Sequence, residues 1–178
     1  VVTLGTMIDV ALANWLRIAL IRLGGSGALA TGTLRRTGTI LALTLGAGIV
    51  IATSIAMAMV PERWLAFSVA VAAYLVSNGI ARLGLTMLQI QQRNALYTLM
   101  EGARALLCIV LPIAALLCVE KTFLAASIGT SIATLITGMV TLVLAASRVV
   151  PGPPRFRYGE LFYLGLPLIV LALLSVGF

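Results

Sequence analysis

The feature that most constrains this chain is a series of long runs that contain no charged residue. These runs cover residues 37–60, 64–81, 105–119, 122–146 and 161–178. A helix needs roughly 20 residues to cross the hydrocarbon core of a bilayer, and the shorter runs reach that length by including flanking residues such as Arg82 and Arg104. A sixth segment, residues 1–22, is apolar apart from four positions: Asp9, Asn14, Arg17 and Arg22. The pattern predicts about six membrane-spanning helices.

Composition excludes an ordinary soluble domain. Only 10% of the residues are charged and 61% are hydrophobic, whereas a soluble domain carries about 25% charged residues. A water-facing surface cannot be built from so few charges, so lipid is the expected solvent. A transmembrane β-barrel would alternate apolar and polar residues along each strand, and runs such as LVLAA do not alternate. We therefore predict an all-α, polytopic transmembrane helix bundle.

The net charge of +7 is concentrated in alternate connections between the predicted spans. Basic residues lie between the first and second, third and fourth, and fifth and sixth spans: Arg22, Arg35, Arg36, Arg82, Arg93, Arg148, Arg155 and Arg157. The other connections, around 61–63 and 120–121, are short and net neutral. The positive-inside rule then places the loops near 23–36, 82–93 and 148–158 in the cytoplasm, and residue 1 on the opposite side, which is the periplasm if the protein is bacterial. The charge indicates topology, and no nucleic-acid partner is expected.

Two of the predicted spans carry small residues at every fourth position, which places each row on one helical face. The rows are Thr44, Gly48, Ala52 and Ala56 in the second span, and Ala125, Gly129, Ala133 and Thr137 beside Ala126, Thr130, Thr134 and Gly138 in the fifth. Lipid provides little hydrophobic drive for helices to associate, so close backbone approach through small residues is typical of packed membrane helices. We predict that these faces are helix–helix contacts.

A few charges lie within the spans rather than between them. Asp9, Asn14 and Arg17 all fall in the first segment. A charged residue at the centre of a bilayer costs about 2.5 to 3.5 kcal/mol on insertion scales. Such residues usually face the interior of a bundle or a water-filled cavity and mark the path of a substrate or ion. Asn14 and Arg17 are three residues apart and share a face, whereas Asp9 is too far from Arg17 for a direct pair.

A second group of charges lies near the start of the fourth span. Glu101 and Arg104 are three residues apart, which allows an ion pair within the helix. By the predicted topology, Arg17, Arg82 and Arg104 all lie in the cytoplasmic half of their helices. They can snorkel to the membrane interface, or they can line a cationic cavity that opens inward and accepts an anionic headgroup, because the planar guanidinium matches phosphate oxygens.

The residue inventory argues against an enzyme and against a metal site. The chain contains no histidine, only five carboxylates and two cysteines. Cys108 and Cys118 lie on one predicted helix, about 15 Å apart along its axis, too far for a disulfide, and we interpret them as apolar fillers. We expect no metal, no cofactor and no catalytic residue.

Four stretches of the chain are similar to one family of transporters. In order they are MIDVALANWLRIALIR, LQIQQRNALYTLMEGARALLCIVLPIAALL, SIGTSIATLITGMVTLVLAASR and RYGELFYLGLPLIVLALLSVG. They resemble the Wzx-type polysaccharide and O-antigen flippases of the multidrug/oligosaccharidyl-lipid/polysaccharide (MOP) exporter superfamily. In that family a YGLPL-like motif opens the seventh helix. Here the motif is split between Tyr158-Gly159 and residues 165–168.

The resemblance implies a partial MATE/MOP-like fold, with about six membrane helices of a longer protein of twelve to fourteen. Residues 1–147 would be helices two to six of the N-terminal lobe, 148–158 the basic cytoplasmic linker between lobes, and 159–178 the truncated first helix of the C-terminal lobe. The opening VVTLGT, which lacks a leader pattern and a methionine, is read in the same way as a cut within a longer chain.

The resemblance also implies a function. Such a protein is expected to flip a polyprenyl-pyrophosphate-linked oligosaccharide across the bacterial inner membrane by alternating access, supplying O-antigen of lipopolysaccharide or another polysaccharide. Arg17 and Arg104, with Asn14, match the substrate-binding cationic cavity, and Asp9 and Glu101 the ion coupling or charge pairing. The implied partners are the lipid-linked oligosaccharide, membrane lipids, and glycan polymerase or assembly proteins.

Three other functions compete with this one. A cation-coupled multidrug exporter of the same superfamily would favour carboxylates in its cavity, and this chain offers more arginine than acid within its spans. A membrane glycan polymerase or ligase typically carries a large periplasmic loop, whereas both outward loops here are a few residues long. A non-catalytic membrane scaffold would leave the polar residues of the first segment without a purpose.

Overall fold

The computed structural model describes residues 5, 8–9, 14–23, 29–118, 122–154, 159–160 and 163. Within these ranges the chain is all-α apart from two very short strands, which confirms the predicted class. In chain order the elements are α1 (Asn14–Leu23), β1 (Leu29–Ala30), α2 (Thr31–Met59), α3 (Trp64–Ile90), α4 (Asn94–Cys118), α5 (Phe123–Ala146) and β2 (Val149–Val150). The helices α2 to α5 are long and apolar enough to cross a membrane. The predicted sixth span, 161–178, lies almost entirely outside the described residues.

The boundaries of two helices differ from the prediction. The third span was expected to end near Arg82, with a loop near 82–93, but α3 continues to Ile90 and only residues 91–93 connect it to α4. The predicted loop is therefore too long, because most residues after Arg82 are apolar and buried and the charge of Arg82 is compensated by a distant acid. In the same way α2 begins at Thr31, so part of the loop predicted at 23–36 is helical.

The surface of the bundle is apolar. The helix α4 has no buried residue, and its large side chains at Leu106, Ile109 and Leu117 are 60–76% exposed. A helix that exposes so many large apolar side chains is unusual on a monomeric soluble protein. The same faces suit a bilayer, where apolar side chains meet lipid rather than water.

The helix α3 is the centre of the described bundle and contacts α1, α2, α4 and α5. Its closest neighbour is α5, and the two backbones approach through glycine. A Cβ atom added at Gly138 would lie 2.8 Å from the backbone nitrogen of Ala81, and one at Gly84 would lie 3.1 Å from that of Leu142. The predicted small-residue face of α5 is thus a helix–helix contact. The same holds for α2, where Gly48, Ala52 and Ala56 are buried.

Hydrogen bonds bring alternate connections of the chain to one end of the bundle. The Gln91 side chain donates to the carbonyl oxygen of Ala145 at 2.8 Å, and the Arg93 guanidinium donates to that of Leu144 at 2.7 Å. The strands β1 and β2 pair in parallel, Leu29 with Val149 and Ala30 with Val150. We call this end, with residues 29–31, 91–93 and 147–150, the basic end. The connections at this end are those in which the sequence has its basic residues and which the positive-inside rule assigns to the cytoplasmic side.

A clasp holds the segment after α5 to the start of α2. The backbone N–H of Gly32 donates to the carbonyl oxygen of Gly152 at 3.0 Å, and the N–H of Gly152 donates to the Thr31 hydroxyl at 3.3 Å. A Cβ atom at Gly32 would lie 2.6 Å from the backbone nitrogen of Pro154. Glycine is therefore needed at position 32 for the two segments to approach this closely.

Candidate functional site: an arginine cavity near the basic end

Three arginines from three helices converge on one cavity. They are Arg17 of α1, Arg82 of α3 and Arg104 of α4, and the cavity has a volume of about 120 Å³. A space of this size holds several water molecules. The remaining lining residues are Leu85, Tyr97 and Glu101. The cavity is therefore polar and cationic, although the helices that build it are apolar.

The cavity lies part-way along the bundle rather than at its end. Arg17 is six residues from the end of α1, Arg82 eight from the end of α3, and Arg104 ten from the start of α4. At 1.5 Å per residue, these offsets correspond to roughly 9, 12 and 15 Å from the basic end. All three side chains are partly buried. The arginines thus occupy the half of the bundle nearer the basic end.

The charge of Arg82 is compensated by Asp9. The Nε atom of Arg82 lies 2.9 Å from Oδ2 of Asp9, whose side chain is fully buried. The N–H is not aligned for a hydrogen bond, so the contact is an ion pair defined by distance. Asp9 therefore lies behind the cavity wall and holds the Arg82 guanidinium against it.

The charge of Arg104 is compensated by Glu101. An Nη2 hydrogen of Arg104 is donated to Oε1 of Glu101 at 2.6 Å, across one turn of α4. A second donor of the same guanidinium, on Nη1, reaches Oδ1 of Asn78 at 3.4 Å. Charge-assisted hydrogen bonds of this kind are short and strong. Two neighbouring residues thus fix the orientation of Arg104.

Arg17 has a different kind of partner. Its Nη2 group donates to the amide oxygen of Gln89 at 3.3 Å, which is a neutral acceptor. Among the described residues, no carboxylate lies within ion-pair distance of Arg17. Because Asp9 and Glu101 offset the other two arginines, the cavity retains one excess positive charge, and Arg17 carries it. A positive charge in a partly dry site attracts anions strongly.

The structure places the predicted site residues as follows. Arg17 and Arg104 line one cavity, Glu101 lies beside them, and Asp9 lies behind the wall. Neither arginine is turned outward to full exposure. Asn14 is the first residue of α1, and its side chain lies outside the part of the chain that the structure describes.

Sequence reasoning missed two contributors to the site, because neither Gln89 nor Tyr97 was considered. It left Arg82 open between snorkelling to the interface and lining the cavity. One signal favours the cavity: a carboxylate buried within a span, such as Asp9, needs a cationic partner. The roles of Gln89 and Tyr97 depend on which faces of α3 and α4 turn toward α1, and a single sequence does not specify this.

No group of three histidine, cysteine or acidic side chains that could hold a metal occurs among the described residues. Comparisons with protein families, with curated proteins and with solved structures find no match to this chain. The resemblance to flippases therefore stays a prediction.

Proposed function

We propose that this chain belongs to a transporter of the bacterial inner membrane that flips a polyprenyl-pyrophosphate-linked oligosaccharide by alternating access. The observation that carries the proposal is the convergence of Arg17, Arg82 and Arg104 on one cavity with an excess positive charge. Arginine presents a planar fork of donors that matches phosphate oxygens in pairs. An anionic headgroup is thus the ligand that suits the site best.

The proposal includes the arrangement of the whole protein. The described helices correspond to spans of an N-terminal lobe with a MATE/MOP-like fold, residues 148–158 to a linker between lobes, and 159–178 to the start of a second lobe. In support of this arrangement, the linker begins at the basic end, where a cytoplasmic connection between lobes is expected. The substrate would enter the cavity from that end.

A cation-coupled multidrug exporter is the rival within the same superfamily. It would need a carboxylate free to bind a cationic drug. Asp9 and Glu101 are each paired with an arginine, and the pairs leave positive rather than negative charge in the cavity. These contacts favour an anionic substrate.

The test of the function is the double variant Arg17→Ala, Arg104→Ala in the full-length protein. Each hydrogen bond to a charged group contributes about 1.5 to 3 kcal/mol, so we expect surface glycan to fall at least about tenfold. The measurement is glycan displayed by cells that depend on this protein, with its amount in the membrane determined by immunoblot.

The matched control is Arg63→Ala, which removes an exposed arginine from the connection at the opposite end of the bundle. We expect this variant to support glycan display at the level of the unmodified protein. Normal display by the double variant at equal membrane abundance would contradict the proposed role of the cavity.

The orientation in the membrane is tested by cysteine labelling of intact cells. Cys108 and Cys118 are first replaced by serine, and single cysteines are then introduced at Arg148 in the basic end or at Glu62 in the opposite connection. Both positions are exposed, so a reagent on the correct side can reach them. We expect an impermeant maleimide to label position 62 at once and position 148 only after the membrane is permeabilised. The reverse pattern would invert the topology.

A further inference from the structure

We infer that Glu101 occupies the anion site itself: its carboxylate holds Arg104 before the substrate binds and gives way to a phosphate-type anion of the substrate. This inference rests on the proposed function and deepens it, because it assigns a role in exchange to a residue that does not itself attract the ligand.

The two acids of the site differ in how firmly they are held. The side chain of Asp9 is 0% exposed, whereas that of Glu101 is 40% exposed and lines the cavity. Oε1 of Glu101 contacts Arg104, whereas Oε2 is buried and has no hydrogen-bond partner among the described residues. An unpartnered buried carboxylate oxygen is costly, so a carboxylate held through one oxygen on a partly exposed side chain can leave by rotating that side chain. Asp9 has no such freedom.

Arg104 keeps its orientation when Glu101 leaves. Its Nη1 group is hydrogen-bonded to Asn78 on α3, independently of the Nη2 group that contacts Glu101. A guanidinium has five N–H donors, so one face can stay anchored while another changes partner. Rotation of Glu101 therefore exposes a positioned donor to the cavity rather than a free arginine. The released position lies in the same cavity as the Arg17 side chain.

The exchange also gives Arg104 a counter-ion both before and after the anion binds. An arginine without a counter-ion inside a membrane bundle is costly, and Glu101 provides that counter-ion within the same helix. The incoming anion replaces one negative charge with another, so Arg104 is never left unpaired. Competition from Glu101 weakens the bound state and speeds release, which a transporter needs as much as binding.

Removing the charge of Glu101 should raise the affinity for the anion, whereas a merely structural role would lower it. If Glu101 only positions Arg104, removing its charge weakens anion binding. If it competes with the ligand, the isosteric variant Glu101→Gln binds the anion more tightly, by about tenfold when one charge-assisted hydrogen bond no longer has to be broken. The same variant should release the anion more slowly and display less glycan.

The experiment measures the affinity of the purified full-length protein in lipid nanodiscs at constant salt. Two probes are titrated separately, inorganic pyrophosphate and dioctanoyl phosphatidic acid. Binding of both probes indicates recognition of the phosphate group itself. Binding of the lipid alone indicates that the phosphate group must be carried by a lipid. In either case, tighter binding by Glu101→Gln supports the inference.

The matched control is Glu62→Gln, the same change at an exposed glutamate outside the cavity, which should leave the affinity unaltered. In an Arg104→Gln background the gain from Glu101→Gln should vanish, because the contact that it relieves is already absent. Glu101→Asp, which keeps the charge on a shorter side chain, is expected to give a smaller gain and serves if the glutamine variant does not fold.

The outcomes separate the two proposals. If the unmodified protein binds neither probe, the anion site and the function proposed for it both fail. If it binds, and Arg17→Gln abolishes binding, but Glu101→Gln binds equally or more weakly, the exchange role is overturned while the anion site stands.

Discussion

Replacing Asp9 with asparagine is expected to lower the free energy of unfolding by about 3 kcal/mol, because it leaves the Arg82 guanidinium inside the bundle without its counter-ion. The carboxylate is fully buried and lies 2.9 Å from Nε of Arg82, whose side chain is 28% exposed. Breaking a buried pair by removing one partner costs about 3 to 5 kcal/mol, and the opening of Arg82 to the cavity favours the lower value. The measurement is thermal unfolding of the purified protein in one detergent.

The control is the double variant Asp9→Asn, Arg82→Gln. It replaces the ion pair with two neutral amides of similar size, so we expect it to recover more than half of the lost stability. Glu62→Gln, at an exposed position, should have almost no effect. If the double variant is less stable than Asp9→Asn alone, the two residues do not stabilise the fold as a pair.

A single methyl group at position 138 is expected to have the next largest effect. In Gly138→Ala the added Cβ would lie 2.8 Å from the backbone nitrogen of Ala81 and 2.9 Å from its Cα, so α3 and α5 have to separate. Backbone atoms cannot move aside as a flexible side chain can. Overpacking of this kind costs about 1 to 3 kcal/mol, and we expect about 2 kcal/mol in thermal unfolding.

The chain offers a matched control for this prediction. Gly46 lies in α2, and a Cβ there would meet nothing within 4 Å. Alanine is favoured over glycine in a helix by roughly 1 kcal/mol, so Gly46→Ala should raise the stability while Gly138→Ala lowers it. Equal shifts in the same direction would show that the backbone contact of α3 with α5 does not limit the packing.

The sequence predicts the helices better than their ends. Uncharged runs identify α2, α4 and α5 because a bilayer-length apolar segment has few other structures available to it. They place the end of α3 too early because Arg82 interrupts the run. Its charge is compensated by Asp9, which lies far away in the chain. A distant partner of this kind has no local signal.

In the candidate site, too, the sequence predicts some features and not others. Polar residues within apolar spans single out Asp9, Arg17 and Arg104, because their positions are costly without a purpose. The spacing of Glu101 and Arg104 also foretells their contact. What spacing cannot give is the set of contacts between helices, such as Arg17 with Gln89, since these depend on the rotation of each helix about its axis.

The clasp at the basic end has a mechanical consequence. The segment from Val149 to Pro154 is not a slack tether: it is paired with β1, hydrogen-bonded through Gly152 to the first residues of α2, and packed at Pro154 against Gly32. A pull applied to the chain beyond Pro154 is therefore delivered to α2 as well as to α5. A force on this connection is therefore transmitted to two helices at the same time.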